Sequence, residues 1–331
     1  SVADRLLNGG ETVSEFGDID APADEAGRVL TTPQHYAYIK IAEGCNNFCA
    51  FCIIPKLRGK YRSRTMEHVL AEARQLADSG VKELIVIAQD ITRYGMDWDG
   101  KPHLADLLEE LCKLDFHWIR LHYLYPEWID DRLIDVIARE DKILKYLDIP
   151  LQHCNDKILK KMNRRGDKKY LCALLDKLRE RIPGLVLRTS IIAGLPGEGE
   201  EEFDELCDFL REQKLLRAGV FPYSPEEGTR AAKMERVDSD EAARRAERIV
   251  DIQSEIIDAW NDERQGDVME VLCEGFDGQS MLFVGRSYAE SPDIDGRIYF
   301  SAPRDVAAGE FVPVRITGAM DGELTGELAE E

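Results

Sequence analysis

The chain has 331 residues, of which 44% are hydrophobic and 32% are charged, and its net charge is −21. It is long enough for one large and one small domain around buried cores, and it needs no disulfide framework. Its apolar runs, such as residues 84–88, are too short to cross a membrane, and residues 1–30 lack a signal-peptide pattern. We therefore predict a cytoplasmic protein whose eight cysteines are metal ligands or small core residues.

The negative charge is concentrated at the two ends of the chain. Residues 1–30 carry a net charge of −5 and residues 267–331 carry −10, which leaves −6 for residues 31–266. Because phosphate backbones are bound through Lys and Arg, so acidic a C-terminal region suits a basic protein partner better than a nucleic acid. Solubility alone explains the same charge equally well.

Residues 1–30 are polar, rich in glycine and begin with Ser1. We expect them to be a linker or the remnant of a removed N-terminal domain. From residue 36 onward, short apolar runs typical of strands alternate with amphipathic patterns typical of helices. The predicted strands are 36–42, 83–88, 118–121, 146–149, 185–193 and 218–223, and the predicted helices are 66–78, 104–114, 129–139, 169–181 and 201–213.

Six consecutive β-then-α units indicate a parallel sheet, and in barrels of this kind the functional groups lie at the C-terminal ends of the strands. A long charged helix is predicted over 239–263. The β-rich runs after it are separated by Gly, Asp, Ser and Pro, which predicts a small antiparallel barrel. The predicted fold class is therefore α/β, with a partial (βα)6 barrel and its last helix in residues 31–266 and a small β-barrel in residues 267–331.

Three cysteines, Cys45, Cys49 and Cys52, follow the first predicted strand. A structural zinc site needs four ligands, but the next Cys or His is His68, inside a predicted helix. A thioredoxin-like dithiol would use only Cys49 and Cys52. Ordinary iron–sulfur clusters are held by four thiolates, so three would leave one iron open, and an open position is typical of a catalytic metal. All three interpretations stay open on spacing alone.

The same spacing, with Phe51 before the last cysteine and a βα barrel behind it, resembles the radical S-adenosylmethionine (SAM) superfamily. The resemblance implies that Cys45, Cys49 and Cys52 hold a 4Fe-4S cluster whose open iron binds the amino and carboxylate groups of SAM. It also implies that an electron from the cluster splits SAM to a 5′-deoxyadenosyl radical. The protein would place the cofactor and exclude water.

Further stretches resemble the methylthiotransferases within that superfamily: 37–64, 84–95, 118–135, 146–166 and 188–203. The sequences "LYPEW" and "PLQH" and residues 284–300 are similar to the RimO branch, and the resemblance covers about residues 31–331. RimO enzymes methylthiolate the β-carbon of an aspartate in the twelfth small-subunit ribosomal protein. The C-terminal barrel resembles their TRAM domain.

The resemblance and the strand ends together predict a cofactor pocket. Gln89 and Asp90 end the second predicted strand, where they could line the pocket or merely cap the turn, and Gln152 follows the fourth strand. In this family the strand before Gly194 lies against adenine and ribose. We therefore expect Phe51, Gln89, Gln152, Ile192 and Gly194 to bind the cofactor.

Several other residues are less clearly interpreted. His153 is predicted to be a hydrogen-bonded structural residue, and Cys154 has no evident partner. The basic residues in 56–64 could form a solvated loop or could hold the cofactor carboxylate or the substrate. The remaining cysteines fall in helix or strand patterns and are predicted to be core residues: Cys112, Cys172, Cys207 and Cys273.

The resemblance further implies partners and a second cofactor. We expect a basic ribosomal protein, docked in part by the acidic C-terminal barrel, and an electron donor. Methylthiotransferases of this kind normally carry a further N-terminal domain with three cysteines and a second 4Fe-4S cluster, but no cysteine precedes Cys45. We therefore expect that domain to have been removed, so that these residues cleave SAM without inserting sulfur.

Two rival functions remain at this point. The first is methylthiolation of adenosine in tRNA, which needs a phosphate-binding surface that the acidic C-terminal region does not favour. The second is a non-catalytic binding module in which the cysteines hold a structural metal, although three ligands make a poor structural site.

Overall fold

A computed structural model of the chain describes residues 17–21 and 29–329. Most of the predicted linker, residues 1–30, lies outside the described residues. Within the described part of the chain, no helix combines the length and the apolar character that a membrane crossing needs.

The first part of the chain forms the predicted partial barrel. Six parallel strands pair in the order β1-β4-β5-β6-β7-β8, and β2 and β3 form a small antiparallel pair beside them. The strands are β1 (Tyr36–Lys40), β2 (Ala42–Glu43), β3 (Arg62–Ser63), β4 (Glu83–Ile87), β5 (Trp118–Leu121), β6 (Ile143–Asp148), β7 (Val186–Ala193) and β8 (Arg217–Pro222).

Helices alternate with these strands. Five of them are preceded by a residue whose side chain accepts a hydrogen bond from a backbone N–H of the first turn, which stabilises the start of the helix: Thr65, Asp130, Asn155, Asp167 and Asp238. The helices are α1 (Ile54–Arg58), α2 (Met66–Asp78), α3 (Met96–Asp99), α4 (Leu104–Leu111), α5 (Asp131–Arg139), α6 (Asp156–Lys161), α7 (Lys168–Arg181), α8 (Glu200–Gln213) and α9 (Ser239–Glu263).

The short elements β2, β3, α1 and α3 were not predicted from the sequence, and two further elements also differ from the prediction. Strand β6 begins at Ile143 instead of residue 146. Lys145 in its middle is half-buried, and its ammonium group donates to the carbonyls of Ile137 and Glu140. A charged residue inside the strand hid its apolar pattern. Helix α6 was not predicted; it has only six residues and depends on the Asn155 cap.

Alternation along the strands separates a main apolar core from the barrel interior. On β1 and β4, Ala37, Ile39, Leu84 and Val86 are buried in the core beneath the helices. The alternate positions face the interior, where several side chains are polar or charged. The interior therefore has to be filled by paired charges or by a ligand.

Residues after α9 form the closed C-terminal barrel. Its strands are β9 (Val268–Asp277), β10 (Leu282–Arg286), β11 (Ile298–Ser301), β12 (Phe311–Met320) and β13 (Glu323–Leu328), which close in the order β10-β11-β13-β12-β9. One pair, β11 with β13, is parallel, unlike the predicted antiparallel arrangement. The chain crosses from β11 to β12 and returns through a tight turn at Gly322 (φ 79°), which places β13 between them.

The C-terminal barrel packs against the N-terminal ends of the parallel strands. Trp118 and Val186, which begin β5 and β7, share an apolar cluster with Leu272 of β9 and with Ala289. The segment 287–297 between β10 and β11 enters the interior of the first barrel at this end. The domain boundaries proposed from sequence, at 30/31 and 266/267, remain predictions.

Charged side chains complete this end of the barrel. Glu83 bonds to Arg120 at 2.6 Å and to Arg286 of the C-terminal barrel at 2.7 Å, and each of the three side chains is at most 1% exposed. Arg120 also donates to the backbone carbonyl of Tyr288. We call Glu83, Arg120 and Arg286 the charged floor of the first barrel.

Candidate active site

The three cysteines lie in the loop 44–53, at the C-terminal end of the parallel strands. Gly44 starts the loop with φ 78°, and a Cβ at this position would lie 2.1 Å from the carbonyl oxygen of Lys60. Only glycine allows so close a backbone approach. The Ala50 N–H donates to the carbonyl of Met162 at 2.8 Å, and the carbonyl of Ala50 accepts from the N–H of Ala231. Distant segments therefore fix the path of the loop.

The thiols are free and partly withdrawn from water. Cys45 is buried, and Cys49 and Cys52 are half-buried. Burial raises the pKa of the Cys45 thiol to about 11, and the neighbouring Cys49 and Cys52 sulfurs add to this effect. Burial also raises the pKa of Cys52. Three thiolates side by side therefore need nearby positive charge, which iron ions supply when they bind.

Three thiols that border one cavity fit a cubane cluster. Among residues 17–21 and 29–329, no three Cys, His, Asp or Glu side chains are arranged around one metal ion. In a cubane cluster each thiolate binds a different iron, so the sulfurs converge on a common volume and not on one point. Cys45, Cys49 and Cys52 all border the same cavity, as that arrangement requires.

Two residues that sequence reasoning missed contact the Cys49 sulfur. The Tyr125 hydroxyl lies 2.7 Å from Cys49 Sγ, and Arg164 Nη1 donates to the same sulfur at 3.7 Å. The Arg164 guanidinium stacks on the Tyr125 ring, 4.2 Å from its centroid, and also donates to the carbonyl of Pro150. Hydrogen bonds to a ligating sulfur tune the reduction potential of an iron–sulfur cluster. Tyr125 lies within "LYPEW", but no spacing links it to the cysteines.

The cysteines open into a cavity of about 400 Å³, large enough for a nucleoside-sized ligand. Strands β1, β4, β5 and β6 contribute to it at or just beyond their C-terminal ends, as the sequence predicted, and β7 contributes Ser190. We call it the cysteine cavity; besides the three thiols it is lined by Lys40, Phe51, Ile54, Ile87, Ala88, Gln89, Tyr123, Tyr125, Pro150, Gln152, Arg164 and Ser190. Another cavity, of about 350 Å³, lies beside α9 near Trp260 and contains no thiol.

Three of the five residues predicted to bind the cofactor line this cavity: Phe51, Gln89 and Gln152. The side-chain oxygen of Gln89 is buried and has no hydrogen-bond partner among the described residues. A buried amide oxygen without a partner favours a ligand that donates to it. The cofactor contacts themselves remain predictions.

The other two lie outside the lining of the cavity. Ile192 packs beside a small apolar cluster that includes Ala50 and Leu195. Gly194 touches α9 closely enough that a Cβ would lie 2.4 Å from the Ala242 Cβ. The structure thus gives Gly194 a packing role, and contact of either residue with the cofactor stays a prediction.

Two lining residues have unusual backbone conformations. Tyr123 (φ 64°) and Gln152 (φ 72°) are both left-handed, which is costly for residues other than glycine. Gln152 is held there by a bridge to Ile191: its N–H donates to the carbonyl of Ser190, and its carbonyl accepts from the N–H of Ile192. The Tyr123 N–H donates to Asp148 Oδ2 at 3.2 Å. Such strain is concentrated at functional sites.

A buried carboxylate ties the cysteine loop to β4. Asp90 follows Gln89 and accepts hydrogen bonds from the Asn47 side chain at 2.9 Å and from the Thr92 N–H at 3.1 Å. Burial raises the pKa of Asp90, although these hydrogen bonds and Arg93 oppose the shift. Asp90 therefore supports the loop from behind and does not line the cavity.

His153 is buried, and its Nδ1 accepts a hydrogen bond from the Asn155 N–H at 3.0 Å. Its Nε2 lies 3.3 Å from Glu198 Oε2, and both side chains are at most 1% exposed. Glu198 also bonds to the Gly194 N–H and to Arg245 of α9. Cys154 is buried, and burial raises the pKa of its thiol.

The remaining residues singled out from sequence lie outside the cavity. Within the basic segment 56–64, Lys56 donates to the carbonyl of Gly228 and Ser63 to Asp97. Cys207 and Cys273 are buried, whereas Cys112 and Cys172 are half-buried beside the main core.

Comparison with known proteins agrees with this geometry. The sequence profile of the Radical SAM superfamily matches residues 39–210, and that of the TRAM domain matches residues 266–329. "Ribosomal protein uS12 methylthiotransferase RimO" from Thermoanaerobacter sp. (strain X514) is 46% identical over 96% of this chain and 73% of its own length. The protein of the same name from Symbiobacterium thermophilum is 48% identical over 97% of this chain and 67% of its own length.

A solved structure shows the same fold at low identity. The radical SAM methyltransferase TsrM from Kitasatospora setae, with cobalamin and a 4Fe-4S cluster bound, superimposes with a TM-score of 0.50 and 18% identity over 60% of this chain and 38% of its own. The profile matches include the cysteine loop and the C-terminal barrel, so the resemblance predicted from sequence is confirmed, and the non-catalytic binding module is set aside. The cofactors are a 4Fe-4S cluster and SAM. The chain belongs to the RimO family of radical SAM methylthiotransferases.

Proposed function

We propose that this enzyme methylthiolates the β-carbon of an aspartate in ribosomal protein uS12. The observation that carries the proposal is the 46% identity to RimO enzymes over 96% of the chain, which extends through both barrels.

The residues of the cysteine cavity have separable tasks in this proposal. Cys45, Cys49 and Cys52 would each bind one iron and leave the fourth iron for SAM. The cluster and SAM, when bound, supply the radical chemistry that activates the target carbon. Tyr125 and Arg164 would set the hydrogen bonding of the cluster through Cys49.

The other lining residues orient ligands and exclude water. Gln89 and Gln152 present amide groups at the strand ends, and Phe51 and Ile54 supply an apolar wall. A dry cavity protects a reactive intermediate from side reactions. Ile192 and Gly194 would act from the adjoining strand end.

Sulfur insertion needs more than this site supplies. RimO enzymes carry a second 4Fe-4S cluster, and the five cysteines outside the cysteine loop are dispersed through both barrels. We propose that these 331 residues alone cleave SAM and activate the substrate but do not complete the methylthiolation. Detection of methylthiolated peptide with these residues alone would contradict this.

The acidic C-terminal barrel supports a basic partner. Residues 267–331 carry a net charge of −10, which suits docking of a basic ribosomal protein and opposes binding of tRNA phosphates. An external electron donor would reduce the cluster. The adenosine of tRNA remains the rival substrate.

Isotope transfer tests the substrate directly. The chain is reconstituted anaerobically with iron and sulfide, and then supplied with SAM, a strong reductant and a uS12 peptide deuterated at the β-carbon of its target aspartate. We expect deuterium in the 5′-deoxyadenosine that forms. Transfer from tRNA labelled on adenosine, with none from the peptide, would favour the rival instead.

A further inference from the structure

In the part of the chain that the structure describes, the cysteine cavity is lined by two cations and by no carboxylate. The cations are Lys40 and Arg164. The Arg164 guanidinium already has partners within the protein, because it is buried, bonds to Cys49 Sγ and to the carbonyl of Pro150, and stacks on the Tyr125 ring. Lys40 is different, since 44% of its side chain is exposed. Its ammonium group can reach a ligand if it exchanges its present partner for that ligand.

Lys40 is positioned by the sheet. It ends β1 and pairs in register with Ile87 of β4, so its stem lies beside the strand that carries Gln89. Its ammonium bonds to Glu43 Oε2 at 2.5 Å, three residues along the chain. A lysine at a strand end has four rotatable carbons with which to reach a ligand from this anchored position.

The Glu43 carboxylate does not depend on Lys40 alone. Its other oxygen accepts from the Gly44 N–H at 3.3 Å, and Arg58 Nη1 lies 4.0 Å from Oε2. These partners remain when Lys40 turns toward the cavity. Exchange of one carboxylate for another therefore leaves no buried charge unpaired.

If the proposed function holds, the substrate brings a carboxylate to this cavity. We propose that Lys40 binds the carboxylate of the target aspartate and thereby selects aspartate over asparagine. A carboxylate that enters a cavity lined by Phe51, Ile54 and Ile87 loses hydration and needs a cation. In the predicted cofactor arrangement the carboxylate of SAM is bound by iron, which leaves Lys40 for the substrate.

The geometry of aspartate makes this contact useful for the reaction. The β-carbon is bonded directly to the carboxylate carbon. A cation that fixes the carboxylate therefore fixes the reacting carbon as well, which is how a positioning contact accelerates a reaction. Asparagine has the same shape but no charge, so a site that contains Lys40 should discriminate between the two.

The test compares Lys40→Gln with Lys113→Gln. Lys113 is a matched control, because it also bonds to a glutamate three residues away at 2.5 Å but lies on the surface beyond α4, far from the cavity lining. Each reconstituted protein is assayed for deuterium transfer from β-deuterated uS12 peptides that contain either aspartate or asparagine. The KM for SAM is measured in parallel, and iron content and melting temperature are matched first.

We expect Lys40→Gln to raise the KM for the aspartate peptide about tenfold or more and to lose most of the preference over asparagine, whereas Lys113→Gln keeps that preference. The conservative variant Lys40→Arg should retain part of it. An unchanged preference in Lys40→Gln would overturn the inference, as would a rise in the KM for SAM equal to that for the peptide. If the wild-type protein transfers no deuterium from the aspartate peptide, the proposed function fails and this inference fails with it.

Discussion

The two ends of the first barrel solve the problem of polar interior side chains in opposite ways. At the N-terminal end, the charged floor is closed: Glu83 bonds to two arginines within 2.7 Å, and one of these comes from the C-terminal barrel. At the C-terminal end, the cysteine cavity contains three thiols, two left-handed residues and a Gln89 oxygen that has no partner within residues 17–21 and 29–329. The paired end holds two domains together, whereas the unpaired end is left for ligands to complete.

A middle layer connects these two ends. Asp148 accepts from the Tyr123 N–H at the cavity, bonds to Arg188 at 2.7 Å and lies 3.5 Å from His122 Nδ1. Ser291, from the segment that enters the barrel, lies 2.9 Å from His122 Nε2. Burial alone would raise the pKa of Asp148, but His122 and Arg188 hold it below its usual value. The C-terminal barrel thus supports the cavity wall through two intervening side chains.

The largest expected effect comes from breaking the cavity end alone. The substitution Cys52→Ala removes one of the three iron ligands. We therefore expect the rate of 5′-deoxyadenosine formation to fall at least about 100-fold. Chromatography of the anaerobic reaction and the iron content of the protein measure this. Cys172→Ala is the control, because Cys172 lies on α7 and is half-buried. Equal iron binding and equal product in both variants would contradict the assignment of Cys52.

The next effect comes from breaking the charged floor. Glu83→Gln leaves Arg120 and Arg286 buried without their shared carboxylate, so we expect the free energy of unfolding to fall by about 3 to 5 kcal/mol. Denaturant titration measures this. Glu110→Gln is the control, since Glu110 is 42% exposed and its pairing with Lys113 at the surface contributes little. Equal stability of the two variants would mean that the floor does not hold the domains together.

The same glutamate predicts a dependence of stability on pH. Burial alone would raise the pKa of Glu83, but Arg286 and Arg120 outweigh it and lower the pKa from 4.5 to about 2. Since the folded pKa lies below the unfolded one, the ionised carboxylate stabilises the fold above pH 4.5, and this contribution is lost as the pH falls toward 2.

Melting temperatures between pH 6 and pH 3 test this sign. We expect the wild-type melting temperature to fall more steeply than that of Glu83→Gln as the pH decreases below about 4.5. Parallel curves for the two proteins would show that Glu83 has the same pKa folded and unfolded.

The sequence predicts the cysteine cavity at one end of the first barrel better than the charged floor at the other end. The cysteine spacing identifies the cavity because all three ligands lie within eight residues, and the strand ends bring Gln89 and Gln152 to it. Tyr125 and Arg164 contact the Cys49 sulfur only in the folded chain, so no local sequence pattern predicts these contacts.

The sequence indicates the charged floor by a charged residue within each of two apolar strand patterns. Glu83 opens "ELIVI" and Arg120 interrupts "WIRL", and a charge inside a buried parallel strand requires a partner. The sequence does not identify that partner, because Arg286 lies 203 residues after Glu83, in the C-terminal barrel. Pairing across domains depends on docking, which strand and helix periodicity do not encode.

The smallest expected effect tests the middle layer. Because His122 Nδ1 faces the Asp148 carboxylate, its Nε2 accepts a hydrogen bond from the Ser291 hydroxyl, so Ser291→Ala leaves this buried nitrogen without its donor. We expect the free energy of unfolding to fall by about 1 to 2 kcal/mol. Ser254→Ala, at an exposed position on α9, should change it little. The KM for SAM should stay within about twofold of the wild-type value, because Asp148 keeps both Arg188 and the Tyr123 N–H. A larger change would mean that the C-terminal barrel controls the cavity and does not merely support it.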